Sequence, residues 1–120
     1  LDRLRLGKQR SEVLCILQTN LGLSKGWINH PIVKMWRGFE GALGLYGITI
    51  CQEWKRRNYI DNCENKILTL TKGLDIIYPS WLGDERLHSS HRAALLSKNY
   101  NHYSQFNWKE NPIINYFWAI

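Results

Sequence analysis

The stretch PIVKMWRGFEGALGLYGITICQEWKRR, Pro31 to Arg57, decides the fold class. Within it Ile32, Met35, Trp36, Phe39, Leu43, Tyr46, Ile50 and Trp54 recur at steps of three and four, the period of one helix face. Asn29 can cap such a helix, and Pro31 suits its first turn, where a missing N–H costs nothing. The spacing predicts one long helix over this stretch with the stripe as core. Gly38, Gly41, Gly44 and Gly47 fall every third residue along it. Each weakens a helix by roughly 1 kcal/mol relative to Ala, so another backbone, of protein or of nucleic acid, is expected to come close there. Helix–helix packing is the simpler of those two uses. Lys55, Arg56 and Arg57 close the segment where cations suit the helix dipole.

Upstream, Leu1 to about Leu21 is also helical in pattern, with Leu6, Val13, Leu14 and Leu17 in one arc and Gly7 beside them. Arg3 and Arg10 project inside that arc, and a cation on a packing face must be paired, snorkelled or turned toward a ligand. Arg5, Lys8 and Glu12 share the opposite face. The turn-rich NLGLSKG, Asn20 to Gly26, ends the helix and lacks the spacing of a phosphate-binding P-loop. Downstream, a short helix is expected from about Asn62 and an irregular stretch to about Gly73. A turn at Pro79 and Gly83 follows, and then a helix capped by Asp84 and running to about Ser97. The tail NWKENPIINYFWAI, Asn107 to Ile120, is aromatic and nearly uncharged after Glu110. With no repeat, low-complexity tract or linker, the expectation is all-α: a single domain over residues 1–120, with three main helices, a long central one among them, and an aromatic C-terminal tail.

Composition narrows the function. A 44% hydrophobic share with six Trp fits a packed chain, not a disordered one. No apolar run approaches the roughly 18 residues that span a bilayer, so no membrane partner is expected. The net charge of +6 is uneven: residues 1–58 hold ten Lys/Arg against four Asp/Glu, and residues 59–120 hold six against six. That asymmetry points to a polyanion meeting the first half, a merely basic surface being the plainer reading. Cys15, Cys51 and Cys63 form no CxxC, which speaks against a disulfide framework or zinc knuckle and for free thiols in an intracellular protein.

Several groups could carry chemistry. His88, His91 and Arg92 stand at i, i+3 and i+4 on the last long helix. Without HExxH or a third ligand they predict no metal site, and a face that donates to phosphates fits them better, with capping or core roles for either His alone. No GxSxG supports a serine nucleophile. Tyr116, Phe117 and Trp118 could stack on unpaired bases or dock into the core. Trp27, Trp81 and Trp108 sit near turns, where large aromatics are often half buried. Glu12 follows Lys8 by one turn and Arg5 by two, and such cations favour its ionised form. Charge alone makes it an exposed i, i+4 partner contributing a few tenths of a kcal/mol.

The blocks LDRLRLGKQRSE (Leu1–Glu12), GWINHPIVKMWRGFEGAL (Gly26–Leu43) and PSWLGDERLHSSHRAALLSK (Pro79–Lys98), with the closing NYFWAI, resemble the pyrimidine-dimer DNA glycosylase family of the phage endonuclease V type. The resemblance runs over nearly the whole chain and is weakest over Ile60–Tyr78. It implies a DNA-repair glycosylase and AP lyase that flips a nucleotide from duplex DNA, attacks the sugar C1′ with an amine, and cleaves through an imine and β-elimination. No cofactor or metal is implied. The expected partner is double-stranded DNA with damaged pyrimidines or abasic sites, met by a monomer. Glu12 matches the family's essential glutamate. The resemblance gives phosphate contacts to Lys8 and Arg10, a DNA-proximal position to His30, and DNA contact to His88, His91 and Arg92, and Arg5, Arg37, Tyr116 and Trp118 are expected to contact DNA with them. In the family the nucleophile is the α-amine of a processed N-terminus upstream of the opening block, so a preceding segment is expected. The alternative is a DNA-binding protein that keeps the fold without that amine.

Overall fold

The computed structural model describes residues 1–106, 108–110, 112–113 and 116, and among these every regular element is helical. The chain divides into two compact units, Leu1–Pro79 and Ser80–Ile120.

The first unit holds α1 (Arg3–Asn20), α2 (Pro31–Trp36), α3 (Glu40–Arg56) and α4 (Glu64–Thr71). α1 packs on α2, α3 and α4, and α3 packs on α4. Leu6, Val13, Ile16 and Leu17 of α1 are buried with Val33, Met35 and Trp36 of α2, Ala42, Leu43 and Cys51 of α3, and Ile67 of α4. Three consecutive observations end α1: Gly22 adopts φ +80°, its N–H bonds the Thr19 carbonyl at 3.1 Å, and the Leu23 N–H bonds the Gln18 carbonyl at 2.8 Å. That pair of bonds around a left-handed glycine satisfies carbonyls the helix leaves open.

The long helix expected from Pro31 to Arg57 is two helices. Gly38 breaks it with φ +90°, a left-handed conformation that glycine adopts without the Cβ penalty of other residues. The Gly38 N–H goes to the Glu40 carboxylate at 3.2 Å, away from the helical carbonyl ladder. His30, not Asn29, caps α2: its Nδ1 accepts from the Ile32 N–H at 3.1 Å. Beyond the break the other three glycines pack as expected. A Cβ at Gly41 would collide with the Asp75 backbone, its carbonyl carbon 2.9 Å away. One at Gly44 would stand 2.5 Å from Thr71 Cγ2, and one at Gly47 2.6 Å from Val13 Cγ1.

The second unit holds a 3-10 turn (Ser80–Gly83), α5 (Glu85–Lys98), α6 (Tyr100–Tyr103) and a second 3-10 turn (Ser104–Phe106). Asp84 caps α5 as expected, accepting from the Arg86 N–H at 2.9 Å. Leu87, Ala93, Ala94, Leu96 and Tyr103 are buried. The start of the aromatic tail folds onto this core, with the Trp108 ring stacked on Tyr103 at 5.6 Å and on Phe106 at 5.5 Å. The three cysteines are free thiols, Cys51 and Cys63 being buried.

Candidate active site

Glu12 is the only acid in α1 and lies partly buried at mid-helix. Positions three, four and seven residues apart share a helix face. Arg5, Lys8 and Gln9 therefore line this face on one side of Glu12, and Cys15 and Thr19 continue it on the other. Arg5 is a loose partner of Asp2 at 3.7 Å, while Lys8 is exposed. Among the described residues no ion pair engages Lys8.

Tyr46 of α3 reaches this face, its hydroxyl donating to Gln9 Oε1. Burial, and after it the negative charge of Glu12, raises the Tyr46 pKa above the usual phenol value. The phenol is therefore a neutral hydrogen-bonding group at physiological pH, with a carboxylate close enough to feel. Sequence periodicity had placed Tyr46 in the core stripe. Nothing in that pattern distinguishes a core aromatic from one whose hydroxyl ends at a polar site.

The loop between α1 and α2 closes the far end of the same face. Thr19 Oγ1 donates to the Gly26 carbonyl at 2.6 Å, and a Cβ built at Gly26 would stand 3.6 Å from Cys15 Sγ. His30 is exposed at the end of this loop, its ring 5.6 Å from that of Trp27. Arg37, exposed, caps the other end of α2. Glu12, Arg5, Lys8, His30 and Arg37 all belong to the first unit.

Arg10 is placed differently. Its guanidinium turns inward, where Asp61 binds it through Nη1, and it lies over the Trp54 ring at 4.3 Å from the centroid. The side chains of Arg10 and Asp61 keep only 13% and 2% of their surface exposed, so Arg10 braces α1 against the turn that precedes α4. Arg3, on the same arc, lies over the Tyr59 ring at 5.9 Å.

The remaining expected residues belong to the second unit. His88 sets Nε2 against the Leu82 carbonyl, and Arg92 is held between Glu85 and Glu110, its Nε 2.7 Å from the latter. His91 packs its ring 5.0 Å from Tyr116. Burial first, then the charges of His88 and Lys98, lowers its pKa and favours the neutral imidazole. Tyr116 accepts a 2.8 Å hydrogen bond from Lys98. Trp118 lies outside the described residues. No group of three or more potential metal ligands gathers among the described residues.

A family model described as pyrimidine dimer DNA glycosylase matches residues 1–67, which take in α1, the α1–α2 loop, α2, α3 and the start of α4. No curated protein and no solved structure matches the chain.

Proposed function

The chain belongs to the pyrimidine dimer DNA glycosylase family, and on that premise we propose that it excises damaged pyrimidines from duplex DNA with Glu12 as the catalytic carboxylate. The observation that carries this reading is the setting of Glu12. The only acid of α1 stands partly buried on a helix face that also carries the cations Arg5 and Lys8, and its charge acts on the neutral phenol of Tyr46.

The target atom, C1′, is hemmed in by the paired and stacked base it carries, and turning a nucleotide out of the duplex opens the step to attack. An amine then adds to C1′, and the glycosidic bond breaks with its electron pair leaving on the base. The added amine loses a proton and the sugar ring opens, giving an imine. Removal of a C2′ proton next expels the 3′ phosphate by β-elimination. Glu12 takes up the amine proton and, ionised, stabilises the positive charge that develops on sugar and imine. The amine is the α-amine of a processed N-terminus, by the resemblance of the opening block. Arg5 and Lys8 grip the phosphates beside the lesion, and His30 and Arg37 add donors at the two ends of α2. Arg10 serves this surface from beneath, by holding α1 in place.

Borohydride trapping tests the proposal, with the protein produced from its complete reading frame and duplex DNA carrying a pyrimidine dimer or an abasic site. A covalent protein–DNA adduct is expected. Glu12→Gln should lower turnover by at least about 100-fold, the low end of general acid–base contributions, while duplex affinity stays within a factor of a few. Turnover unchanged in that variant removes Glu12 from the mechanism. Salt-sensitive duplex binding with no adduct marks the non-catalytic DNA-binding alternative.

A further inference from the structure

Trp27 has no place in the chemistry just described, and its conformation is unusual. Its backbone sits at φ +56°, a region that bulky L-residues seldom occupy because the Cβ crowds the carbonyl. The strain gains little burial, since half of the residue's surface stays exposed. Leu23 and Ile28 on the same loop are 66% and 45% exposed. The loop itself is tightly fixed. Thr19 Oγ1 and the Schellman bonds at Gly22 hold its start, and the Trp27 carbonyl accepts from the His30 N–H at 2.8 Å. A strained residue kept in place by well-determined surroundings is the usual mark of a position shaped for contact with something else.

Location and charge say what that contact is. The loop leans on Cys15 and Thr19, which lie on the Glu12 face of α1. With about 1.5 Å of rise per residue, those two positions are roughly 5 and 10 Å beyond Glu12 along the helix axis. Lys25 in the loop and Lys34 in α2 are both exposed, and among the described residues no ion pair engages either. An exposed indole on the loop that closes the Glu12 face of α1, with exposed and unpaired cations two residues before it and seven after it, matches a base step with its phosphates nearby. We infer that Trp27 is a base-stacking wedge: its indole enters the duplex at the step on which Glu12 acts and fills the space of the nucleotide turned out there, with Lys25 and Lys34 on nearby phosphates. Such apolar insertion unstacks a step and is repaid by the contacts that the opened duplex permits. The inference deepens the reading of Glu12 and rests on it for the identity of the ligand.

The test reads binding and base stacking, not catalysis. Full-length protein is titrated into a duplex holding a tetrahydrofuran abasic analogue with 2-aminopurine beside it. The wild type should raise the 2-aminopurine fluorescence as the step unstacks. Trp27→Ala should lose that rise and bind roughly 5- to 150-fold more weakly, the range for one base–aromatic stack. Its salt dependence should keep the wild-type slope, because no phosphate contact is removed. Trp27→Phe should retain the rise. Trp27→Gly, which relaxes the φ +56° strain, should melt no lower than wild type and still lose the signal, separating the stacking role from folding. A Trp27→Ala or a well-folded Trp27→Gly variant with wild-type fluorescence and affinity overturns the wedge. A wild type that binds no duplex at any salt overturns it together with the glycosylase reading. Glu12→Gln with unimpaired turnover but an intact 2-aminopurine response sinks the catalytic assignment and leaves the wedge standing.

Discussion

Arg10 and Asp61 illustrate how a residue's neighbours decide what its charge is for. Burial raises the Asp61 pKa, but hydrogen bonds from the Glu64 N–H, the Arg10 guanidinium and the Cys63 N–H, with the Arg10 charge, outweigh it and hold the carboxyl below its usual range. Glu53, between Arg56 and Arg57, is lowered further, to about 2. That cluster faces solvent, where screening leaves little net stabilisation, so the Asp61 pair matters more to the fold. Asp61→Asn should destabilise the protein by roughly 1.5–3 kcal/mol, the range for hydrogen bonds to charged groups. Urea denaturation should show it as a lower midpoint at unchanged slope. The pH sign follows from the lowered pKa. The stabilisation is complete above the unfolded carboxyl's pKa of about 3.9 and disappears as pH falls through the lower folded value, so wild type and variant should converge below about pH 4. A gap that persists at pH 2 would show that the carboxylate's charge is not what stabilises. Sequence put Arg10 on the packing arc, to be paired, snorkelled or turned toward a ligand, and through the resemblance assigned it a phosphate. It could not supply Asp61, 51 residues along the chain, because a single chain's pattern carries no signal for such a pair. The role proposed for Glu12 comes only from the surrounding block, since its spacing from Lys8 is equally that of an ordinary surface pair.

At the scale of elements, the glycines of α2 and α3 separate local from tertiary causes. Their period of three is uniform in sequence, yet Gly38 ends a helix while Gly41, Gly44 and Gly47 let α3 be approached. Periodicity read the helix through Gly38 because the apolar stripe keeps step across it. Trp36 and Leu43 are both buried, on either side of a break the hydrophobic pattern does not register. By helix propensity alone Gly44→Ala should stabilise by about 1 kcal/mol. Thr71 stands in the way: its short β-branched side chain, whose hydroxyl donates to the Ile67 carbonyl at 2.8 Å, cannot swing aside freely. Overpacking of this kind costs roughly 1–3 kcal/mol, so a net loss is expected on thermal unfolding. Gly41→Ala should lose more, since what it meets is the Asp75 backbone. Gly38→Ala meets no atom and should still lose about 1 kcal/mol, from backbone conformation alone. A stabilised Gly44→Ala would mean that α3 and α4 can move apart at little cost.

Over the whole molecule, the first unit carries twelve Lys/Arg against seven Asp/Glu and the second four against three, so five of the six excess charges lie in the unit that holds Glu12. Formal charge nonetheless overstates what a polyanion can use. Arg10, Lys55, Arg56 and Arg57 in the first unit are already met by carboxylates, as are Arg86 and Arg92 in the second. Lys8, Lys25, Lys34 and Arg37 are not engaged in this way among the described residues. A cation that keeps its own carboxylate displaces few counterions from DNA, whereas an unpaired one displaces about 0.9 per phosphate neutralised. The logarithm of duplex affinity should therefore fall linearly with the logarithm of salt concentration. Lys8→Ala, Lys34→Ala and Arg37→Ala should each lower the slope by about one. Lys55→Ala and Arg86→Ala, which remove the same formal charge, should leave it nearly unchanged, because each also frees a carboxylate, of Glu64 or Asp84, that its cation had neutralised. Sequence located the basic half correctly but could not make this distinction, since pairing depends on which carboxylates the fold brings near. Equal slopes for all five variants would mean that net charge, not which cations the fold leaves unpaired, governs how the protein meets DNA.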